Sequence, residues 1–175
     1  MSYFSKFPKL NYDIKGDNKL ELFTHILKRV KLHTVAKTNT QLFDYYQVNQ
    51  GEKPEDIAFK YYGRPDYHWT IIIANDIIDY YEEWPMSVQR FEEFIKDKYS
   101  NPQAVHHYEI NQTSGDTTKT INVGMNNTDY ESASAISFYT YEQRLQDEKR
   151  QIRLIKPQYI QDFVTEFEDK LDEAL

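Results

Sequence analysis

Four stretches in the first hundred residues carry apolar side chains at the three- and four-residue spacing of an amphipathic helix. They follow Asp17, Pro54, Pro65 and Ser87, which are residue types that favour a helix start. Gly63 suits the end of the second helix. The predicted apolar faces are Leu20, Phe23, Ile26, Leu27 and Val30; Ile57, Ala58, Tyr61 and Tyr62; Trp69, Ile72, Ile73 and Ile77; and Phe91, Phe94, Ile95 and Tyr99.

Two of these predictions have local competitors. The alternation from Val30 to His33 at the end of the first stretch is equally compatible with a short strand. The run Thr70 to Ile73 is β-branched and by propensity favours a strand. The helix prediction there depends on the spacing and on the Pro65-Asp66 start.

Other stretches alternate as β-strands do. Residues 43–48 run into a turn at Asn49-Gln50-Gly51, residues 105–111 and 119–123 predict a hairpin, and residues 151–156 predict a further strand. Residues 138–150 are charged and helical in pattern. A last helix begins at Pro157, and its apolar face is Ile160, Phe163, Val164, Phe167 and Leu171.

The pattern predicts an α+β fold in four segments. Residues 1–40 form an N-terminal arm and helix, with no period before Gly16. Residues 41–100 form a central βαα module with a following helix. Residues 101–135 form a hairpin and a polar, flexible link from 124 onward, and residues 136–175 form a helix-strand-helix segment.

Composition limits the classes of partner. The 21 basic and 28 acidic residues give a net charge of −7, which argues against nucleic acid or an anionic membrane as a partner. The longest apolar stretch, Trp69 to Ala74, is too short to span a bilayer. The chain has no Cys, while 15% of its residues are aromatic at a mean hydropathy of −0.80. Aromatic residues are enriched at protein interfaces, so we expect several of them to contact other proteins.

We find no motif for catalysis, a cofactor or a metal ion. His106 and His107 are adjacent in a predicted strand, where neighbouring side chains point to opposite faces, so we expect them not to share a metal ion. An acidic group follows the third helix and is interpreted as a solvated turn. It comprises Asp76, Asp79, Glu82 and Glu83. The sequence therefore predicts no enzyme; a muramidase-type glutamate is the least favoured alternative.

One stretch carries a specific pattern, from Tyr46 to Gly63 and on to Asn75. It resembles a LysM domain. In that resemblance a strand leads into a tight turn, a Pro-led helix and a second helix, and an asparagine bonds the loop that follows. The residues that define the module are Tyr46, Val48, Gly51, Pro54, Ile57, Ala58, Gly63, Trp69 and Asn75.

A longer pattern runs from Pro54 to Ile77 and includes Trp84-Pro85. Together with residues 148–163, it resembles the small LysM-like baseplate wedge subunit of T4-like contractile-tailed phages. The likeness covers residues 41–100 and 138–172. It implies a structural protein of the virion, assembled in the host cytoplasm, that joins neighbouring wedges into a sixfold baseplate. The implied partners are the wedge-core proteins and the sheath initiator, with six or a multiple of six copies per particle.

Two sets of side chains are the candidate contacts with such partners. The first set is Tyr80, Tyr81 and Trp84. These residues lie in the stretch from Ile78 to Pro85, which departs from an ordinary LysM loop because it is bulky and acidic and has no Gly. Phe163 and Phe167 lie on the last helix, where packing within the chain is an equal alternative. The alternative function is a LysM-type module that binds peptidoglycan or N-acetylglucosamine polymers.

Overall fold

The computed structural model describes residues 3–27, 30–31, 39–111, 120–125 and 133–173 and shows a mixed α+β fold, as the sequence predicts. The strands are β1 (Lys9–Tyr12), β2 (Glu21–Thr24), β3 (Phe43–Gln47), β4 (Val105–Asn111), β5 (Thr120–Gly124), β6 (Ser134–Ser137) and β7 (Gln151–Ile155). The α-helices are α1 (Pro54–Tyr62), α2 (His68–Ala74), α3 (Tyr80–Glu83), α4 (Val88–Lys98), α5 (Phe138–Lys149) and α6 (Ile160–Glu173). Short 3₁₀ turns cover Tyr3–Lys6, Pro65–Tyr67 and Pro157–Tyr159.

The chain divides into two compact units. The first unit consists of residues 1–83 and 151–175, and the second consists of residues 84–150. The predicted segment 41–100 is thus divided between the two units. Within the described residues, no helix combines the length and the apolar character that crossing a membrane requires.

A distant strand completes the sheet of the first unit. β3 pairs antiparallel with β7, with Phe43 opposite Ile155 and Tyr46 opposite Ile152. α1 and α2 lie between them in the chain, and α2 contacts β7. β3 and β7 are separated by more than a hundred residues that include the entire second unit.

The core of the first unit joins the N-terminal segment, α2 and α6. Phe7, Trp69, Val164, Phe167 and Leu171 form one buried cluster. A second cluster consists of Phe43, Ala74, Ile155 and Ile160. Because α6 contributes to both clusters, the last helix is part of the core of this unit.

The predicted N-terminal helix is wrong. Residues 21–24 form β2, which pairs antiparallel with β1 in a hairpin. The loop between the two strands is organised by Asp13, whose carboxylate accepts backbone N–H groups of residues 15–18. This side-chain binding competes with helix formation after Asp17 and turns the chain back along β1. The predicted arm therefore contains the first strand of this hairpin.

The second unit contains a three-stranded sheet in the order β5-β4-β6, with helices α4 and α5. The predicted hairpin is confirmed as β4 and β5. β6, which adds to the other edge of β4, was not predicted. Ser87 and Ser137 cap α4 and α5 through their side-chain oxygens. Most of the predicted flexible link at 124–135 lies outside the described residues.

Candidate interaction site

The first helix of the central module begins and ends as its sequence predicts. Pro54 occupies the first turn, and the Asp56 carboxylate accepts the backbone N–H of Lys53 at 3.1 Å. Ile57 and Ala58 are fully buried. Gly63 follows the helix with a φ of +72° and donates its N–H to the carbonyl of Phe59 at 2.9 Å. A left-handed residue of this kind is the usual end of a helix.

The loop between β3 and α1 is held by a buried carboxylate. Glu52 is 8% exposed and accepts hydrogen bonds from the Tyr46 hydroxyl and the Asn49 backbone N–H, both at 3.0 Å, and from Lys60. Burial acts to raise the pKa of Glu52, but these hydrogen bonds outweigh it and lower the pKa below its ordinary range. Gly51 turns the same loop at a φ of +74°.

Two further module residues frame this loop. Val48 is 2% exposed and therefore belongs to the core beneath the loop. The pKa of the Tyr46 hydroxyl, which bonds Glu52, is raised because the side chain is partly buried and faces that carboxylate. The loop thus presents a fixed backbone at the surface beside the exposed ring of Phe59.

Asn75 connects the end of α2 to β7. Its amide donates to the carbonyl of Ile71 at 2.8 Å and to the carbonyl of Arg153 at 2.9 Å, and its oxygen accepts the Arg153 N–H at 2.8 Å. The Arg153 guanidinium in turn donates to the carbonyl of Ala74 at 2.9 Å. We expected Asn75 to bond the loop that follows it; the amide bonds the distant strand instead.

Trp69 lies in the aromatic part of the core with two of the predicted contact residues. The ring centroid of Phe167 is 4.6 Å from that of Trp69, and the centroid of Phe163 is 6.0 Å away in a stacked arrangement. Phe167 is 3% exposed, and Phe163 is partly buried. In this structure these side chains of α6 pack within their own unit, which is the alternative that the apolar stripe left open.

The three predicted contacts after α2 differ in exposure. Tyr80 and Tyr81 are 37% and 68% exposed, and their rings meet edge to face. Burial and the nearby Glu55 carboxylate raise the pKa of Tyr80. Trp84 is 5% exposed, so its side chain packs within the chain and offers little surface to a partner. Tyr80 and Tyr81 are therefore the accessible members of the set.

The acidic turn caps the short helix α3. The backbone N–H of Tyr81 binds the Asp79 carboxylate at 2.8 Å, and the N–H of Ile78 binds the Glu83 carboxylate at 2.6 Å. Both acids therefore stabilise local backbone.

In the second unit, we expected His106 and His107 to point to opposite faces of β4. The structure shows that they do not. A register irregularity in β4 between Val105 and His107 brings their Nδ1 atoms to 2.7 Å. His107 Nε2 lies 2.9 Å from the Glu109 carboxylate, which also binds Arg144 at 2.7 and 2.8 Å. Across the described residues, no three His, Asp or Glu side chains form a group suited to a metal ion.

A second polar group supports this unit. Glu142 is 4% exposed and accepts hydrogen bonds from Lys98 at 2.7 Å and from the Tyr99 hydroxyl at 2.6 Å. Burial acts to raise the pKa of Glu142, and the bonds from Lys98 and Tyr99 lower it overall. The group joins α4 to α5, which also contact each other through the rings of Phe91 and Tyr139.

An open cleft of about 230 Å³ lies beside the end of α2. This volume is below the usual range of roughly 300–1,000 Å³ for small-molecule sites. Its lining residues are Tyr3, Val30, Lys31, Ile72, Ile73, Asp76, Ile77 and Ile78. The charged residues that line the cleft are Asp76 and Lys31. This pair does not form a recognisable catalytic group.

The roles of Glu52 and Arg153 and the N-terminal hairpin were not predicted from the sequence. Glu52 and Arg153 are charged residues that look like surface positions, and only their distant partners distinguish them. The signal for the hairpin was Asp13 followed by Gly16, Asp17 and Asn18, a composition typical of a turn. The helical spacing after Asp17 obscured it.

Comparison with known proteins identifies a family that the chain matches. The family model described as base plate wedge protein 53, a phage family, matches residues 2–114, which is more than half of the chain. The match includes the N-terminal hairpin, to which we did not extend the resemblance, and ends before the segment 138–172. No curated protein matches the chain.

Proposed function

The chain belongs to the phage family of base plate wedge protein 53, and from this premise we propose that it joins neighbouring wedges into the sixfold baseplate. Membership makes the chain a structural protein of the tail baseplate of the virion. The family match is the observation that carries the proposal. The joining role, the copy number and the partners are the parts that go beyond it.

We further propose that the first unit contains a LysM-like module whose second strand is displaced in the sequence. The support is the order of β3, α1 and α2, followed by an antiparallel strand that pairs with β3. In the chain, residues 75–150 stand between α2 and β7. The module in this form serves as a framework for protein contacts and carries no catalytic role.

The proposed partners are the wedge-core proteins and the sheath initiator. Tyr80 and Tyr81 are the proposed contact residues of the central module, because aromatic side chains of this exposure contribute large contact areas with a polar hydroxyl. The proposed assembly takes place in the host cytoplasm and leads to six copies, or a multiple of six, per particle.

Quantitative mass spectrometry of purified particles tests the proposal. We expect the chain to be present at six copies, or a multiple of six, relative to the tail tube and sheath proteins. A second arm uses infections in which the chain is not produced. We expect single wedges to accumulate there and sixfold baseplates to be missing, as measured by sedimentation and electron microscopy.

Two results contradict the proposal. Complete sixfold baseplates without the chain would show that it does not join the wedges. Absence of the chain from purified particles would exclude a structural role in the virion, and the alternative of binding to cell-wall glycan would then be tested first.

A further inference from the structure

The N-terminal hairpin is defined here as residues 9–27 with strands β1 and β2. Among the described residues, β1 and β2 pair only with each other, so no described strand lies on either outer edge of the hairpin. An isolated two-stranded hairpin has marginal stability, and an unpaired strand edge presents N–H and C=O groups that can pair with another strand. The hairpin therefore has free backbone hydrogen-bonding capacity along its length.

The hairpin also exposes apolar side chains on both faces. Residues opposite each other in an antiparallel pair share a face. Leu10 lies opposite Phe23 on one face, and Asn11 lies opposite Leu22 on the other. The exposed fractions are Leu10 36%, Tyr12 63%, Ile14 61%, Leu20 67%, Leu22 61%, Ile26 62% and Leu27 83%.

This exposed area is large enough for a stable interface. Covering seven such side chains removes on the order of 800 Å² from water, which is what one partner contributes to an interface of standard size. Scattered single apolar residues are ordinary on a protein surface, but seven exposed apolar side chains within the nineteen residues of one hairpin favour an interaction site.

The hairpin is ordered in advance at its base and at its tip. At the base, Phe7 is 6% exposed in the cluster with Trp69 and Phe167, and the His25 N–H donates to the carbonyl of Pro8 at 2.8 Å. At the tip, the Asp13 carboxylate accepts the N–H of Gly16 and the N–H of Asn18, both at 2.7 Å. A preformed element loses less conformational entropy on binding.

The charges of the hairpin indicate what kind of surface it fits. Three lysines and three acidic residues lie between residues 9 and 27, so with a neutral His25 the hairpin carries no net charge. The whole chain has a net charge of −7, and two copies brought together repel each other. A neutral, apolar surface of a different protein therefore fits the hairpin better than a second copy or a basic surface.

We propose that the N-terminal hairpin docks onto another protein of the virion, which supplies an open strand edge beside an apolar groove. The added strand extends the hairpin through main-chain hydrogen bonds, and the groove encloses the hairpin so that it covers exposed apolar side chains of both faces. This inference rests on the proposed function, because it takes the partner from the particle in which the chain is built.

Site-specific photo-crosslinking in assembled particles tests the docking. The photo-reactive p-benzoylphenylalanine replaces Leu22 in the hairpin, and as a matched control it replaces Phe59, which is equally exposed on α1. We expect position 22 to crosslink to another virion protein, at a strand edge or in the groove beside it, at a yield at least tenfold above position 59. A crosslink only to a second copy of the chain, only to a segment of the other protein away from any strand edge, or to nothing overturns the proposal.

A double substitution measures the contribution of the hairpin to assembly. Leu20→Ser with Leu22→Ser removes two exposed side chains, so we expect an unchanged thermal midpoint and at least a tenfold loss of the chain from particles. Phe59→Ser is the control and should be incorporated normally. Normal incorporation of the double variant overturns the docking proposal while the proposed function stands. Absence of the wild-type chain from particles overturns the proposed function itself, and the docking proposal with it.

Discussion

At the scale of single residues, Asn75 joins two elements that are distant in the chain. One amide satisfies two carbonyls and one N–H, and it connects α2 to a strand 78 residues away. The sequence indicated that Asn75 is special because of its place after the second helix. It could not indicate the partner, because Arg153 is close to Asn75 only in the folded chain.

Replacing Asn75 by Ala should destabilise the first unit by about 2–3 kcal/mol, since buried backbone groups that lose their partners cost roughly 1–3 kcal/mol each. Urea unfolding followed by circular dichroism measures the change. Asn11→Ala, at an exposed position of β1, is the matched control and should change the free energy of unfolding by less than about 0.5 kcal/mol. Equal effects of the two substitutions would contradict the assigned role.

Glu52 gives a prediction for the dependence of stability on pH. Its pKa is lowered in the folded chain, so the carboxylate stabilises the fold above its ordinary pKa near 4.5, and this contribution is lost as the pH falls through the folded value. Glu52→Gln should therefore lower the free energy of unfolding by about 2 kcal/mol at pH 7. The difference from wild type should shrink as the pH is lowered from 4.5 to 3.

Urea unfolding at a series of pH values measures this difference. Glu21→Gln, at an exposed position of β2, controls for the loss of one negative charge. A Glu52→Gln defect that is the same at pH 7 and pH 3 would show that the variant acts by packing and not through the charge.

At the scale of elements, the sequence predicts a helix correctly where its capping residues and the spacing of its apolar residues agree. The starts at Pro54 and Ser87 are confirmed, because each is determined by residues within one turn of it. Pro157 begins a 3₁₀ turn, and the last α-helix follows from Ile160. The predicted helix after Asp17 is wrong because Asp13, outside the periodic stretch, organises the backbone that follows. The expectation that His106 and His107 point to opposite faces is wrong, because the irregular strand register beside them leaves no mark in the sequence.

The pairing of β3 with β7 predicts that the central module does not fold alone. A fragment of residues 41–100 lacks the strand opposite Phe43 and the helix that covers Trp69. We therefore expect its NMR spectrum to show poorly dispersed amide resonances, and we expect no cooperative unfolding. Residues 1–83 joined to 151–175 by a flexible Gly/Ser linker form the comparison and should unfold cooperatively. A dispersed spectrum from the 41–100 fragment would contradict this prediction.

At the scale of the whole molecule, family membership and surface chemistry favour protein partners over glycan. The loop after Asn75 is bulky and acidic, and its carboxylates bind local backbone. We expect the purified chain to remain in the supernatant when it is centrifuged with peptidoglycan sacculi, under conditions in which a glycan-binding LysM protein pellets. Saturable pelleting that free N-acetylglucosamine oligomers compete away would instead support the alternative function.

The division of the first unit across the chain has a consequence for synthesis. While the ribosome translates the message, β3 and Trp69 emerge long before Ile155 and Phe167, so the first unit waits for the C-terminal residues. The second unit is continuous and has all its residues earlier. A prematurely terminated chain therefore lacks a complete first unit, and only a fully translated chain can present a stably anchored N-terminal hairpin.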